Sequence, residues 1–235
     1  MNTVLVVVAH PDDAEIAMGM RIRWYVLNGA QVRVHCLTTG APGPDGTQVR
    51  QDECLAAGAL LGVDQYTFSP IPDARFVEHR GAINADLFSV FHQPRPDIVY
   101  THYPADQHLD HSITAQEVTT VALREATNLR YFRSPYSIGF EPTMFFMGTQ
   151  ELLKAKVQAL QCFASQQQLD MDVFRQLAEV THRQFLHHRI VGRFPSEASC
   201  AELFRIARHL EFGLGVGGQR VPARADGKGV SRRRG

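Results

Sequence analysis

Two short stretches hold most of the side chains in this sequence that could act together chemically. The first is His10-Pro11-Asp12-Asp13, which follows directly on the apolar run Val4-Leu5-Val6-Val7-Val8-Ala9. The second, far downstream, is His108-Leu109-Asp110-His111. A buried strand that ends in a histidine and two adjacent carboxylates is costly, because like charges repel and a desolvated carboxylate needs a partner. A divalent cation relieves both problems. Zn²⁺ accepts imidazole nitrogen and carboxylate oxygen, and three protein ligands leave a position open for water. His10 and Asp13 stand three apart where strand gives way to helix, and His108 and His111 have the spacing of neighbours on one helical face. These groups exceed what a three-ligand site needs, so one histidine and one aspartate are left for catalysis. Asp12 is suited to be the general base toward a water at the metal. The spare histidine, kept protonated by Asp110, would stabilise an oxyanion on a carbonyl substrate. The pattern reads as a zinc hydrolase, with one ion per chain and another divalent metal admissible on ligand chemistry alone.

The elements that have to bring the two motifs together alternate along the chain. Strands are expected at about 3–9, 32–37, 66–68, 97–102 and 143–147. Helical patterns fall at about 14–27, 48–61, 78–92, 110–125, 151–163, 172–189 and 197–210. The stretch between Glu125 and Pro142 has little pattern, and Thr127–Arg133 reads as surface. Repeated βα units of this kind predict an α/β fold, Rossmann-like and doubly wound, with a mostly parallel sheet and helices on both faces. Both motifs then fall just past the carboxyl ends of strands, the edge at which open α/β sheets bind ligands.

Composition narrows the function classes. Lys+Arg and Asp+Glu both total 24, so no overall field favours nucleic acid or anionic lipid. No segment approaches the roughly 18 to 20 apolar residues that span a bilayer, and the first apolar run lacks the features of a signal peptide. The four cysteines, Cys36, Cys54, Cys162 and Cys200, show no CxxC spacing and read as reduced thiols, which suits a cytoplasmic protein. Residues 1–212 are expected to form one domain, and the Gly/Arg-rich stretch 213–235 a disordered tail. GxSxG and P-loop motifs are missing, which disfavours serine-nucleophile and P-loop chemistry.

With Ala9 before it, His10-Pro11-Asp12-Asp13-Ala14-Glu15-Ile16 resembles the signature of the LmbE/PIG-L family of zinc-dependent de-N-acetylases. Asp106-Gln107-His108-Leu109-Asp110-His111 is similar to its second half, and weaker similarity runs over about residues 3–208. The resemblance implies zinc held by His10, Asp13 and His111, Asp12 as base, and His108 as the electrophilic or acid group with Asp110 as its partner. It also implies substrate contacts from Arg50 and, at a sugar hydroxyl, from Asp73. The implied reaction is removal of an N-acetyl or other N-acyl group from an amino sugar or its conjugate, and the resemblance also implies a homo-oligomer. Two departures stand out. Ala17-Met18-Gly19-Met20 replaces the family's Gly-x-Gly-Gly, and Met147-Gly148 lies where many relatives carry an aspartate.

Other readings weigh against these. An amidase of thiol-sugar S-conjugates would use the same residues on a bulkier substrate. A non-catalytic metal- or nucleotide-binding module is disfavoured by the intact Asp12, His108 and Asp110 and by the lack of GxGxxG in the first turn. Asp12-Asp13 as a mere helix cap would leave His10 and the second motif unexplained. His35 and His102 read as core or rim histidines, His187 and His188 as surface, and Cys54 as packing.

Overall fold

The computed structural model describes residues 2–41, 49–126, 128–185 and 195–211. Its first strand, β1 (Thr3–Val8), lies mid-sheet, with every side chain from Val4 to Ala9 fully buried. Side chains alternate between faces along a strand. Val4, Val6 and Val8 therefore join one apolar cluster, and Leu5, Val7 and Ala9 the other. Full burial of each Val or Leu is worth roughly 1.5–3 kcal/mol, which explains why an uninterrupted apolar run sits between two helical layers.

The chain continues as α1 (Asp13–Leu27), β2 (Gln31–Cys36), α2 (Val49–Leu61), β3 (Gln65–Phe68), α3 (Arg80–Phe91) and β4 (Ile98–His102). Then come α4 (Leu109–Glu125), β5 (Asn128–Phe132), β6 (Met144–Gly148), α5 (Gln150–Leu160), α6 (Met171–Arg183) and β7 (Cys200–Arg208). The seven strands lie in the order β3-β2-β1-β4-β5-β7-β6. β3, β2, β1, β4 and β5 are mutually parallel, and β7 runs antiparallel to both β5 and β6. α1, α2 and α5 pack on one face, and α3 and α4 on the other. This is the expected α/β doubly wound architecture. The winding reverses between β1 and β4, so their carboxyl ends flank the switch-point crevice.

Two expectations are corrected. The segment expected to be helical at about 197–210 is strand β7, and the stretch read as patternless surface contains strand β5. Leu129 and Phe132 are buried, as is Tyr131. Tertiary pairing decides both cases. β7 is clamped between β5 and β6, with Phe204 in register with both Phe132 and Met144. Thr127, His187, His188, the tail 213–235 and the end of the helix expected to reach 189 lie outside the described residues.

The two departures from the family pattern meet in space. Met20 is fully buried, and a Cβ at Gly148 would stand 3.3 Å from its sulfur. The small residue in β6 thus makes room for the large one in α1. All four cysteines are free, and Cys54 is packed in the core. No helix of the described residues is long and apolar enough to cross a membrane.

Candidate metal centre

The first motif is shaped by the way β1 hands over to α1. Beyond Val8 the chain leaves the sheet, and the Ala9 N–H donates to His102 Nε2 at 3.0 Å. Asp12 takes a left-handed conformation at φ 91°, which aspartate tolerates better than most residues. That turn starts α1 at Asp13, whose Oδ2 accepts the His10 N–H at 2.7 Å. The Asp13 carboxylate therefore sits in the first turn of α1, at the positive end of its dipole. The second motif follows β4. His108 is the extended residue before α4, and Asp110 and His111 lie in that helix's first turn.

The crevice brings three donors to one point. His10 Nδ1 and His111 Nε2 are 3.3 Å apart. His111 Nε2 is 3.4 Å from Asp13 Oδ1, and His10 Nδ1 is 3.5 Å from Asp13 Oδ2. A tetrahedral ion with ligand bonds near 2.0–2.1 Å separates its ligand atoms by about 3.3–3.4 Å. The separations here are of this size, with His10 and His111 facing different oxygens of the Asp13 carboxylate. His10 and His111 also recur in three overlapping groups of possible ligands, each with its ligand atoms within 4.8 Å of one another. These are His10/His108/His111, Asp13/His102/His111 and His10/Asp73/Asp110.

The outer nitrogen of each of these two imidazoles faces carboxylate. His10 Nε2 lies 3.2 Å from Asp73 Oδ1 and 3.3 Å from Asp110 Oδ2. His111 Nδ1 lies 3.4 Å from Asp106 Oδ1. Asp110 is itself held by the N–H groups of Ala74 at 2.8 Å and Phe76 at 3.4 Å. Asp106 accepts from the His108 N–H at 2.9 Å and from the hydroxyls of Ser134 and Ser137. Such carboxylates orient metal-binding imidazoles and raise their basicity.

The electrostatics have the same cause. Burial lowers the pKa of His10, but bonds to Asp110, Asp13 and Asp73 outweigh it and hold the ring well above the ordinary histidine value. His111 is raised to about 9, its burial being overcome by the Asp13 charge and by Asp106. Burial pushes the Asp13 carboxyl up, yet the His111 charge and the bonds to His10 and His102 bring it well below the usual range. Asp12 behaves oppositely. Burial, then the Asp13 charge, raise it to about 7 although Arg50 opposes them. His102 falls to about 4 through burial and the His111 charge, so it stays neutral and accepts from Ala9.

Every expected site residue lies in or beside this crevice. Arg50 Nη2 donates to Asp12 Oδ2 at 3.1 Å and to the Pro11 carbonyl at 2.7 Å. Gly40 (φ +81°) lets it pass, since a Cβ there would stand 2.9 Å from Arg50 Cδ. The His108 ring stacks on His111, centroids 4.4 Å apart, as the three-residue spacing requires. Its Nδ1 has no hydrogen-bond partner among the described residues. Asp110 differs from expectation: its Oδ2 bonds His10, where support for a His108 cation was anticipated. Burial and the positive rings of His10 and His111 lower the His108 pKa. Adjacent residues in a helix point about 100° apart, so Asp110 turns toward the 73–76 loop while His111 turns toward β1.

Asp106 and His102 belong to the site and carried no role in the sequence reading. The spacing Asp106-x-His108 just before a helix, where an aspartate caps the backbone two residues on, is the local signal for Asp106. His102 had no local signal. It is the last residue of a buried strand, and only the β1–β4 pairing sets it beside Asp13, with Nε2 3.3 Å from Asp13 Oδ2.

The chain is similar to known proteins in sequence and in fold. The PIG-L family model, described as GlcNAc-PI de-N-acetylase, matches residues 5–122, half of the chain. The uncharacterized deacetylase YaiS of Escherichia coli K12 is 28% identical over 163 residues, covering 67% of this chain and 88% of its own. A 1D-myo-inositol 2-acetamido-2-deoxy-alpha-D-glucopyranoside deacetylase from Saccharomonospora viridis is 31% identical over 161 residues. That alignment spans 54% of this chain and only 60% of the relative's length. Among solved structures, GalB, the 4-carboxy-2-hydroxymuconate hydratase of Pseudomonas putida KT2440, shares the fold. Its TM-score is 0.75 at 20% identity, over 91% of this chain and 100% of that one.

Proposed function

The chain belongs to the PIG-L family, and from that membership we propose that it hydrolyses the amide of an N-acylated amino sugar or amino-sugar conjugate. One observation carries the reading. Two buried imidazoles each direct one nitrogen at the Asp13 carboxylate and the other at an outer aspartate. His10, Asp13 and His111 would hold a divalent cation, Zn²⁺ by donor type, with Asp73, Asp110 and Asp106 orienting the rings. Bound there, the ion supplies Lewis acidity toward the amide carbonyl and lowers the pKa of a water.

The protein's own groups do the rest. Asp12 takes the proton from the attacking water, and its raised pKa makes it a stronger base than an ordinary carboxylate. Arg50 fixes one oxygen of that carboxylate. His108 donates a ring N–H toward the carbonyl oxygen as negative charge develops on it. The proton carried by Asp12 passes to the leaving nitrogen, and a carboxylic acid and a free amine result. Asp73 and Arg50 offer polar contacts to a hydroxylated amine component.

The test is release of primary amine from free and conjugated N-acyl amino sugars by the zinc-loaded protein, run beside Asp12→Asn. Release by the wild type alone is expected. The fold also serves a protein named as a hydratase, so the measurement discriminates chemistries that the fold does not. No amine from any member, with metal bound, would refute the proposal.

A further inference from the structure

Phe76 and Tyr136 pack against imidazoles of the metal centre at the same distance and differ in exposure. The Phe76 ring centroid lies 5.9 Å from that of His10, and the side chain is fully buried. It belongs to the core cluster of Leu5, Val7 and Ala9. The Tyr136 centroid lies 5.9 Å from that of His108 and 6.2 Å from that of His111, yet Tyr136 is 52% exposed. One side of its ring is spent on the histidines, and the rest is free for a ligand.

The backbone beneath that ring is pinned. The Gln107 N–H donates to the Tyr136 carbonyl at 3.0 Å, and the Ile138 N–H to that of Ala105 at 2.8 Å. Residues 136–138 therefore lie antiparallel beside 105–107. The Ser134 and Ser137 hydroxyls donate to one oxygen of Asp106, whose other oxygen accepts the His108 N–H and faces His111. One carboxylate thus fixes the loop together with both of the histidines that Tyr136 touches. A loop set in place before its ligand arrives gives up little entropy on binding, and tyrosine offers a large, rigid contact.

The position suits a substrate. His108 meets the carbonyl oxygen in the reaction proposed above, so a surface continuing from it reaches what is attached next to the amide. Tyr136 follows β5, whereas Arg50 and Asp73 follow β2 and β3, on the opposite side of the β1–β4 crevice. Polar groups on one side and an aromatic face on the other match the asymmetry of a pyranose, which carries hydroxyls around its edge and C–H groups on its faces.

We propose that the Tyr136 ring packs against the C–H face of the amino-sugar ring while Arg50 and Asp73 meet its hydroxyls. Tyr136 then selects for the cyclic amine component, and its part is to bind, not to move protons. The proposal rests on the amide-hydrolase reading above.

The experiment compares zinc-loaded wild type, Tyr136→Ala and Tyr136→Phe on N-acetylglucosamine and its conjugates, with glucosamine and acetate as product inhibitors. Loss of the packed ring in Tyr136→Ala should raise KM and the glucosamine inhibition constant about tenfold, with kcat little changed. Tyr136→Phe keeps the ring and should restore both constants. Acetate has no ring and should inhibit all three proteins alike, a readout that damage to the loop or the metal centre would move. Unchanged KM and glucosamine inhibition in Tyr136→Ala would overturn the assignment and leave amide hydrolysis standing. A fall in kcat shared by Tyr136→Phe would give the role to the hydroxyl and overturn it equally. No amine from any N-acyl amino sugar with the wild type would overturn both readings.

Discussion

Two of the places where this molecule buries charged side chains are built differently. Lys156 and Glu202, between α1, α5 and β7, are matched one to one. Lys156 reaches one Glu202 oxygen, and the N–H groups of Met20 and Arg21 occupy both. At the β1–β4 edge, Asp12, Asp13, Asp73, Asp106 and Asp110 converge on three histidines, and Arg50 bonds only Asp12 among them. The first arrangement is complete as it stands. The second carries surplus negative charge, and the surrounding carboxylates raise the pKa of His10 and His111. The Lys156–Glu202 charge is neutralised within the chain, and the surplus at the β1–β4 edge is what the proposed cation would neutralise.

Substitutions on the two sides should separate accordingly. The largest effect is expected of His111→Ala, which removes an inward donor. Tight divalent binding should vanish and amine release fall to background, checked by elemental analysis of the purified protein. Full metal occupancy would contradict the ligand set. Asp12→Asn, which keeps a residue tolerant of the left-handed turn, should retain metal while turnover falls about 10²–10⁴-fold. Near-normal turnover would remove Asp12 from the role of base.

Lys156→Met tests the other half of the contrast. It strands a buried carboxylate and should cost about 3–5 kcal/mol in denaturant unfolding, with metal content unchanged. A folded variant that had lost its metal would erase the distinction between the two regions. The smallest effect belongs to Asp106→Asn, which weakens the carboxylate support of His111. Metal affinity should drop about 10–100-fold in competition with a chelator, with the fold intact. Unaltered affinity would reduce Asp106 to a helix cap.

What could be read along the chain was what local spacing governs. His10 and Asp13 bracket a strand-to-helix turn, and the stacked rings of His108 and His111 follow from a three-residue interval. Four of the five parallel strands were legible. β1, β2, β3 and β4 were expected, β2 even with Arg33 and His35 interleaved, while β5, which follows α4 with no breaker between them, was not. β7 carries Ala201-Glu202-Leu203-Phe204, a pattern that suits helix and strand alike until β5 and β6 pair with it on both sides.

The sequence by itself determined the alternating α/β order, the strand that ends in His10, and the residue types that suit a divalent cation and a base. Only the tertiary structure decided which carboxylate serves which ring: Asp110 on His10, Asp106 on His111, and His102 closed against Ala9. It also decided that Met20 and Gly148 complement each other. The reason is one of range. Backbone geometry ties residues three or four apart, whereas contacts across a hundred residues depend on strand order and register, which are set by the burial of the whole sheet.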